Sequence, residues 1–326
     1  MKALVFEAPR RAVVTEVEQP RIGPDEVLVR SHAVGICHSD FELLAGQYII
    51  PVSYPIIPGH EWAGEVVDVG SAVAGLSAGD RVVGECVVGP GGRDHFGFSI
   101  SGADAEYFRA RAEWLHVLPE ELSYTAGALV EPFSVAYNAT HTAGGLDPSD
   151  HVAVIGGGPI GLLCVAAAAA HNATVTLIEP QQSRRAKALD LGARHAIDPS
   201  ANDFADAVGE ITGGRGFDVV LEAAGAPPAM ASALEVAAHS ARIVFIGIDI
   251  GSSASAKLGL VQSKALRIQG IIGSAGLWPR TIRFLASGVV DPSLIVTAQF
   301  PLAAALEALD AAQDTARNVK VHIQTA

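Results

Sequence analysis

Only three cysteines, Cys37, Cys86 and Cys164, occur in the 326 residues. So sparse and odd a set is a poor disulfide framework and fits a reducing compartment, so a cytoplasmic location is expected. Basic residues are scarce as well: 22 Lys and Arg stand against 35 Asp and Glu, a formal net charge of −13. Phosphate backbones need clustered Lys and Arg, so nucleic acid is not an expected partner. The acidity needs no special role, because it keeps a soluble protein from associating nonspecifically. Aromatics make up only 6% of the chain, so the core must be mostly Ala, Val, Leu and Ile. Long apolar runs are missing: the stretch Ile160 to Ala170 is too short to cross a bilayer. Met1-Lys2-Ala3-Leu4-Val5-Phe6 runs straight into strand-like alternation without signal-peptide architecture. No membrane partner is expected.

What is present divides the chain in two. With 49% hydrophobic residues and 34 glycines, its length supports two domains, each with its own core. To about Ala112, short β-like runs (Lys2–Phe6, Glu26–Ala33, Gly64–Val69, Asp80–Val88) are punctuated by Gly and Pro, which predicts an irregular, barrel-like β domain. Ser123–Ala143 has helical periodicity. From His151 the pattern alternates, with strands at His151–Ile155, Thr174–Glu179, Asp218–Glu222, Arg242–Ile246 and Ala265–Ile271. Helices are expected at Ile160–His171, Gln182–Leu191 and Pro228–Ala238. Alternation implies parallel βαβ units and a doubly wound sheet. The tail, with helical Pro279–Ala286 and Leu302–Gln313 and a strand Val319–Gln324, is expected to return to the first domain. The expected limits are 1–134 with 277–326 for one domain and 135–276 for the other.

Gly156, Gly158 and Gly161 have the G-x-G-x-x-G spacing between a strand and a helix. The first glycine permits the tight turn, the second lets a pyrophosphate approach, and the third allows close helix–strand packing. Pro159 and Ile160 open the helix, whose N-terminus offers unpaired N–H groups to phosphate. A glycine-rich turn alone is weak evidence. Here Glu179 ends the second strand, where an acid that binds the adenosine ribose is expected. Its charge would repel a 2′-phosphate and favour NAD over NADP. Arg184 or Arg185 could soften that preference, or be solvated charges on the next helix.

A second constellation lies earlier. Gly35-Ile36-Cys37-His38-Ser39-Asp40 and Gly59-His60-Glu61 gather a thiol, an imidazole and a carboxylate, a mixture suited to an open catalytic zinc site. Singly, each has a dull reading: a cysteine is more often a small buried hydrophobe and a glutamate is usually solvated. Adjacent His60 and Glu61 need not face the same way in extended backbone. Glu131, in Val130-Glu131-Pro132, would either ligate the metal or hydrogen-bond its water.

These segments, with Gly79-Asp80-Arg81-Val82, Glu131-Pro132-Phe133-Ser134-Val135, Trp278-Pro279 and Leu285-Ala286-Ser287, resemble the zinc-containing medium-chain dehydrogenases. The motifs are most similar to the sorbitol (polyol) dehydrogenase branch. The resemblance implies an α/β protein: a partly open, GroES-like β-barrel catalytic domain plus a doubly wound Rossmann domain, assembled as a homodimer or homotetramer. It implies that Cys37, His60 and Glu61 hold a catalytic zinc, with Glu131 beside it. Ser39 would relay the substrate proton and His38 would contact the cofactor pyrophosphate. The implied reaction is hydride transfer between NAD and a secondary alcohol of a polyol, sugar or cyclitol.

Two departures from the family pattern bear on function. Many relatives hold a structural zinc with four cysteines after the Gly-Asp-Arg-Val motif; here Gly84–Phe108 contains only Cys86, so one zinc per subunit is expected and Cys86 is read as a plain loop or strand residue. Sorbitol dehydrogenases carry an Arg-Tyr pair before the matching Trp-Pro, where this chain has Gly273-Ser274. Losing that multi-donor side chain removes hydrogen bonds to a polyol and opens room for a bulkier or cyclic alcohol. Tyr48, Phe96, Phe98 and Trp278 are candidate pocket walls. The competing readings are an NADP-preferring dehydrogenase of a bulkier cyclic alcohol, a zinc hydrolase, and a non-catalytic nucleotide-binding relative.

Overall fold

The structure is a computed structural model, and it describes residues 1–48, 50–274 and 276–325. The chain divides into two compact units, Met1–Glu131 with Trp278–Ala326, and Pro132–Leu277. The first division falls inside a helix rather than in a linker, a few residues ahead of the expected limit at 134.

In chain order the first unit begins with β1 (Lys2–Ala8), β2 (Arg11–Glu16), β3 (Glu26–Gly35), α1 (His38–Ala45), β4 (Glu61–Val69), β5 (Arg81–Gly84), β6 (Val87–Val88), β7 (Asp94–His95), β8 (Tyr107–Arg111) and β9 (Leu115–Val117). The expected strand Asp80–Val88 is broken at Glu85-Cys86 into β5 and β6. Helices α2 (Tyr124–Ala128) and α3 (Val130–Thr142) follow, with Ser123 capping α2 by accepting from the Ala126 N–H at 3.1 Å.

The second unit contains β10 (His151–Ile155), α4 (Pro159–Ala170), β11 (Thr174–Ile178), α5 (Gln182–Asp190), β12 (His195–Ile197), α6 (Phe204–Thr212), β13 (Phe217–Glu222), α7 (Pro227–Val236), β14 (Ala237–Phe245), α8 (Gly259–Ser263) and β15 (Arg267–Gly270). The tail adds α9 (Trp278–Ala286), β16 (Val296–Pro301), α10 (Ala305–Gln313) and β17 (Lys320–Gln324), and it belongs to the first unit.

In the first unit β16, β17, β3, β4, β5 and β9 lie side by side, and β8 also pairs with β3. Strand β3 is central, antiparallel to β4, β8 and β17. One core packs Val27, Val29, Trp62, Val66, Phe96 and Phe108; another packs Leu4, Phe6, Leu43 and Phe98 against Leu302, Leu309 and Ile323 of the tail. Burial of those tail side chains is what returns the C-terminus to this unit.

The second unit is a six-stranded parallel sheet ordered β12-β11-β10-β13-β14-β15. Its inner strands read as near-continuous apolar runs because helices cover both faces. Strand order reverses between β10 and β13, and in such sheets the crevice beyond the carboxyl ends at that point receives ligands. Helix α6 was not foreseen, although Phe204, Val208 and Ile211 carry helical spacing and pack on the unit's core. No helix among the described residues is long and apolar enough to cross a membrane.

Candidate active site

Strand β3 ends at Gly35, and two residues later Cys37 caps the start of α1. The Cys37 N–H donates to Asp40 Oδ2 at 2.8 Å, which closes the first turn and fixes the loop that carries the thiol. Opposite Gly35, Glu61 opens β4. His60 lies just before that strand begins, outside its alternation, so neighbouring His60 and Glu61 can turn toward one point. Both are buried, and one ligand atom from each of Cys37, His60 and Glu61 lies within 4.8 Å of the others.

A single zinc ion suits this set, since soft thiolate, imidazole and carboxylate are its usual donors and three protein ligands leave a position open. The electrostatics agree. Burial pulls the His60 pKa down, but Asp40 and the contact with Cys37 outweigh it and hold the imidazole well above its ordinary value. The pocket is thus negative enough to favour a cation. His60 Nδ1 stands 3.5 Å from Asp40 Oδ1, and both atoms are otherwise buried without a hydrogen bond. A carboxylate there orients the ring and sets which nitrogen is free for a ligand. Burial first and then Asp40 push the Asp104 carboxyl well above its ordinary value, which favours its protonated form.

Glu131 lies outside the three-donor cluster yet within electrostatic reach of it. Burial, opposed by His60 and reinforced by Glu61, lifts its pKa to about 7. Ser39 is half-buried and His38 exposed, both in the first turn of α1.

Lys320 escaped the sequence reading altogether. It is buried on β17, with Nζ 3.0 Å from the Ile36 carbonyl oxygen, 2.8 Å from Glu61 Oε1 and 2.5 Å from Oε2. Burial lowers its pKa, but Glu61 and Cys37 more than offset that, so the ammonium stays charged. Its strand neighbour His322 is fully buried; burial and then Lys320 drive its pKa down to about 3, which keeps it neutral. A lone lysine in a strand-like tail carries no sequence signal of such a contact.

The aromatic candidates sort themselves. Phe98 packs against His60 with ring centroids 4.6 Å apart, and Tyr48 stacks on Phe98 at 4.4 Å. Phe96 instead packs with Trp62 and Phe108 in the barrel core, and Trp278 stacks on His116. Cys86 lies in the bend between β5 and β6, a loop position as expected. Burial pushes its thiol up to about 12, and the His60, Glu131 and Cys37 charges reach it.

In the second unit, Gly156 adopts φ +96, open to glycine without strain, and its N–H donates to the Ile178 carbonyl at 2.9 Å. A Cβ on Gly161 would stand 1.8 Å from the Gly156 oxygen, so α4 can approach the turn only with glycine there. A Cβ on Gly158 would meet nothing within 4 Å, leaving the surface open to an incoming group. Gly158 caps α4, and Pro159 and Ile160 form its first turn. Glu179 follows β11 and is buried; its Oε2 accepts from the Gly157 N–H at 2.6 Å and its Oε1 from the Gln181 N–H at 2.9 Å.

Of the two arginines, Arg185 is committed to structure, donating to the Glu179 and Pro180 carbonyls and to Asp198 Oδ2. Arg184 lies beside the turn, its Cβ 3.1 Å from where a Gly157 Cβ would be. Glu222 was also unforeseen. Fully buried at the end of β13, its Oε1 accepts from the Ala224 and Gly225 N–H groups at 2.9 and 3.0 Å. An acid closing an apolar strand before Ala-Ala-Gly is the signal that could have found it. Gly273, where relatives of the polyol branch were expected to carry a cation, adopts φ +66 and accepts from Asn138 Nδ2 at 2.9 Å.

The chain matches the family models for the alcohol dehydrogenase GroES-like domain over residues 23–120 and for zinc-binding dehydrogenases over 159–287. It is 35% identical to a sorbitol dehydrogenase of Bacillus subtilis (strain 168), across 96% of this chain and 93% of that protein. It superposes on the crystal structure of 2R,3R-butanediol dehydrogenase from Bacillus subtilis with a TM-score of 0.91, at 31% identity over 100% of this chain and 99% of that one. An alcohol dehydrogenase from Escherichia coli CFT073 complexed with NADH gives a TM-score of 0.91, at 26% identity over 100% and 99% of the two chains. Barrel, doubly wound sheet, donor cluster and whole-length similarity agree, and the chain belongs to the zinc-dependent medium-chain alcohol dehydrogenases, on their polyol dehydrogenase-like branch.

Proposed function

We propose that this NAD(P)-linked alcohol oxidoreductase uses NAD to oxidise a secondary alcohol of a polyol, sugar or cyclitol, or to reduce the matching ketone, with one zinc per subunit. The observation that carries the reading is the Cys37–His60–Glu61 donor set, half-buried at the thiol and buried at the other two, within 4.8 Å. When bound there, zinc supplies Lewis acidity toward an alcohol or carbonyl oxygen, and the nicotinamide supplies or accepts the hydride.

The remaining work falls to the chain. Cys37, His60 and Glu61 hold the metal, and Asp40 keeps the His60 ring in orientation. Glu131 stands by the centre as an acceptor for a bound hydroxyl. Ser39 Oγ takes the substrate hydroxyl proton toward solvent, and the exposed His38 reaches the cofactor phosphates. Phe98 and Tyr48 form an apolar wall that excludes water from the reacting carbon. In the other unit Gly156 shapes the turn, Gly158 keeps it open, Pro159 starts α4 without an N–H of its own, and Ile160 and Gly161 in the first helical turn present backbone N–H groups to the pyrophosphate. The Glu179 carboxylate, held by two backbone N–H groups, accepts from the adenosine ribose hydroxyls, and its charge supports NAD over NADP. Arg184, beside the turn, would favour a 2′-phosphate.

Oligomer and compartment are part of the proposal. Strand β15 is an exposed sheet edge, and Ile272, two residues beyond it, is 77% exposed; such an edge supports self-association into a dimer or tetramer. The sparse cysteines support a cytoplasmic setting.

A panel of polyols, cyclitols, sugars and simple secondary alcohols, each with NAD and with NADP, tests the function by nicotinamide absorbance. Turnover of a polyol or cyclitol with NAD is expected. Turnover confined to NADP, or to simple alcohols, would overturn the finer reading.

A further inference from the structure

Strand β3 has no side chain at Gly35, and the gap is used. Gly35 faces Glu61 on β4 to one side and His322 on β17 to the other. A Cβ at Gly35 would lie 2.4 Å from Glu61 Oε2 and 3.4 Å from His322 Nε2. The Glu61 carboxylate therefore occupies the room a side chain would take, crosses over β3 and meets Lys320 on β17. An ammonium has three donors. Nζ here donates to Glu61 Oε1 and to the carbonyl of Ile36, the residue just before Cys37, and forms an ion pair with Glu61 Oε2. One buried cation thus ties both donor-bearing segments, the Cys37 loop and the His60-Glu61 stretch, to the last strand of the unit.

We infer that Lys320 is the positioning residue of the metal centre, with Gly35 as the gap that lets it reach Glu61. The inference rests on Cys37, His60 and Glu61 being the metal ligands. A buried carboxylate free to rotate would have to be ordered by the metal on each binding event. The ion pair orders it beforehand and leaves its outer lone pairs available. The carbonyl contact does the same for the loop carrying the thiol. Outer partners of this kind typically contribute about 10–100-fold in metal affinity.

The test measures zinc affinity by chelator competition, and the visible spectrum of the cobalt-substituted protein, for wild type, Lys320→Met, Lys320→Arg and Gly35→Ala, with circular dichroism reporting the fold. Lys320→Met is expected to bind zinc about 10–100-fold more weakly and to shift the cobalt bands. Lys320→Arg should recover part of the loss. Gly35→Ala, which displaces the carboxylate without touching the lysine, should behave like Lys320→Met. In a Glu61→Gln background, Lys320→Met should add a smaller loss, through the Ile36 contact alone. Affinity within twofold of wild type in folded Lys320→Met, or an equal loss in the Glu61→Gln background, overturns the positioning role while leaving the ligand assignment intact. A wild-type protein that holds no zinc overturns both.

Discussion

Replacing Glu179 by Gln separates its observed bracing of the turn from the cofactor selection proposed for it. The substitution keeps size and removes charge. Its stability cost comes from the two backbone N–H groups, of Gly157 and Gln181, that now meet separate carboxylate oxygens at 2.6 and 2.9 Å. Glutamine has a single acceptor oxygen, so one of them faces an NH2 group whichever way the amide turns. One lost acceptor in a buried setting costs about 1–2 kcal/mol.

The cofactor effect has another origin. A 2′-phosphate carries nearly two negative charges, and about 4–6 Å from a carboxylate the repulsion runs from about 1 to 8 kcal/mol as the effective dielectric falls from water-like to surface-like. Solvent in the crevice places the effect near the lower end, about 2 kcal/mol. A ribose hydroxyl bonded to a neutral rather than a charged acceptor loses about another 1 kcal/mol. Together the NAD-to-NADP preference in kcat/KM should fall roughly a hundredfold. Steady-state kinetics with both cofactors, beside thermal unfolding, read the two effects apart. A lowered melting temperature with the cofactor ratio within threefold of wild type would show that Glu179 only braces the turn.

Cys37→Ser should empty the centre of zinc, read by elemental analysis, while NADH fluorescence still reports binding; a zinc-replete variant with normal turnover refutes the ligand assignment. Ser39→Ala should lower kcat by about a hundredfold or more with cofactor affinity intact, and an unchanged kcat removes it from the proton path. The glycines of the turn should divide. Gly161→Ala, with its 1.8 Å clash, should lower the melting temperature, whereas Gly158→Ala, whose Cβ meets nothing, should leave stability alone and weaken NAD binding. Unaltered NAD affinity in Gly158→Ala would contradict the pyrophosphate site.

Much of this protein was readable in its order of residues because the relevant physics is local. Alternation between strand and helix periods after His151 dictates a parallel sheet, and glycines at 156, 158 and 161 are demanded by a turn that admits no Cβ or must stay open. The acid closing the second strand follows from the same βα unit. Local signals also explain where boundaries slipped. Periodicity does not register the break at Glu85-Cys86, and α6 passed unnoticed although its apolar spacing was there to see.

Other features depend on which strands lie beside which, and only tertiary structure decides that. Lys320 meets Glu61 across 259 positions of sequence because β17 pairs beside β3 and Gly35 leaves a gap between them. Asp40 and Asp104 converge behind His60 for the same reason, and no pattern in either segment announces it. Phe96 and Phe98 stand two residues apart, yet one packs into the barrel core and the other against His60. Residue types and spacings were enough to specify the family and to single out Cys37, His60 and Glu61, whose side chains the fold brings together. The partners that hold those atoms in place come from long-range strand pairing, whose energy lies in burial and hydrogen bonds between segments and so leaves little local trace.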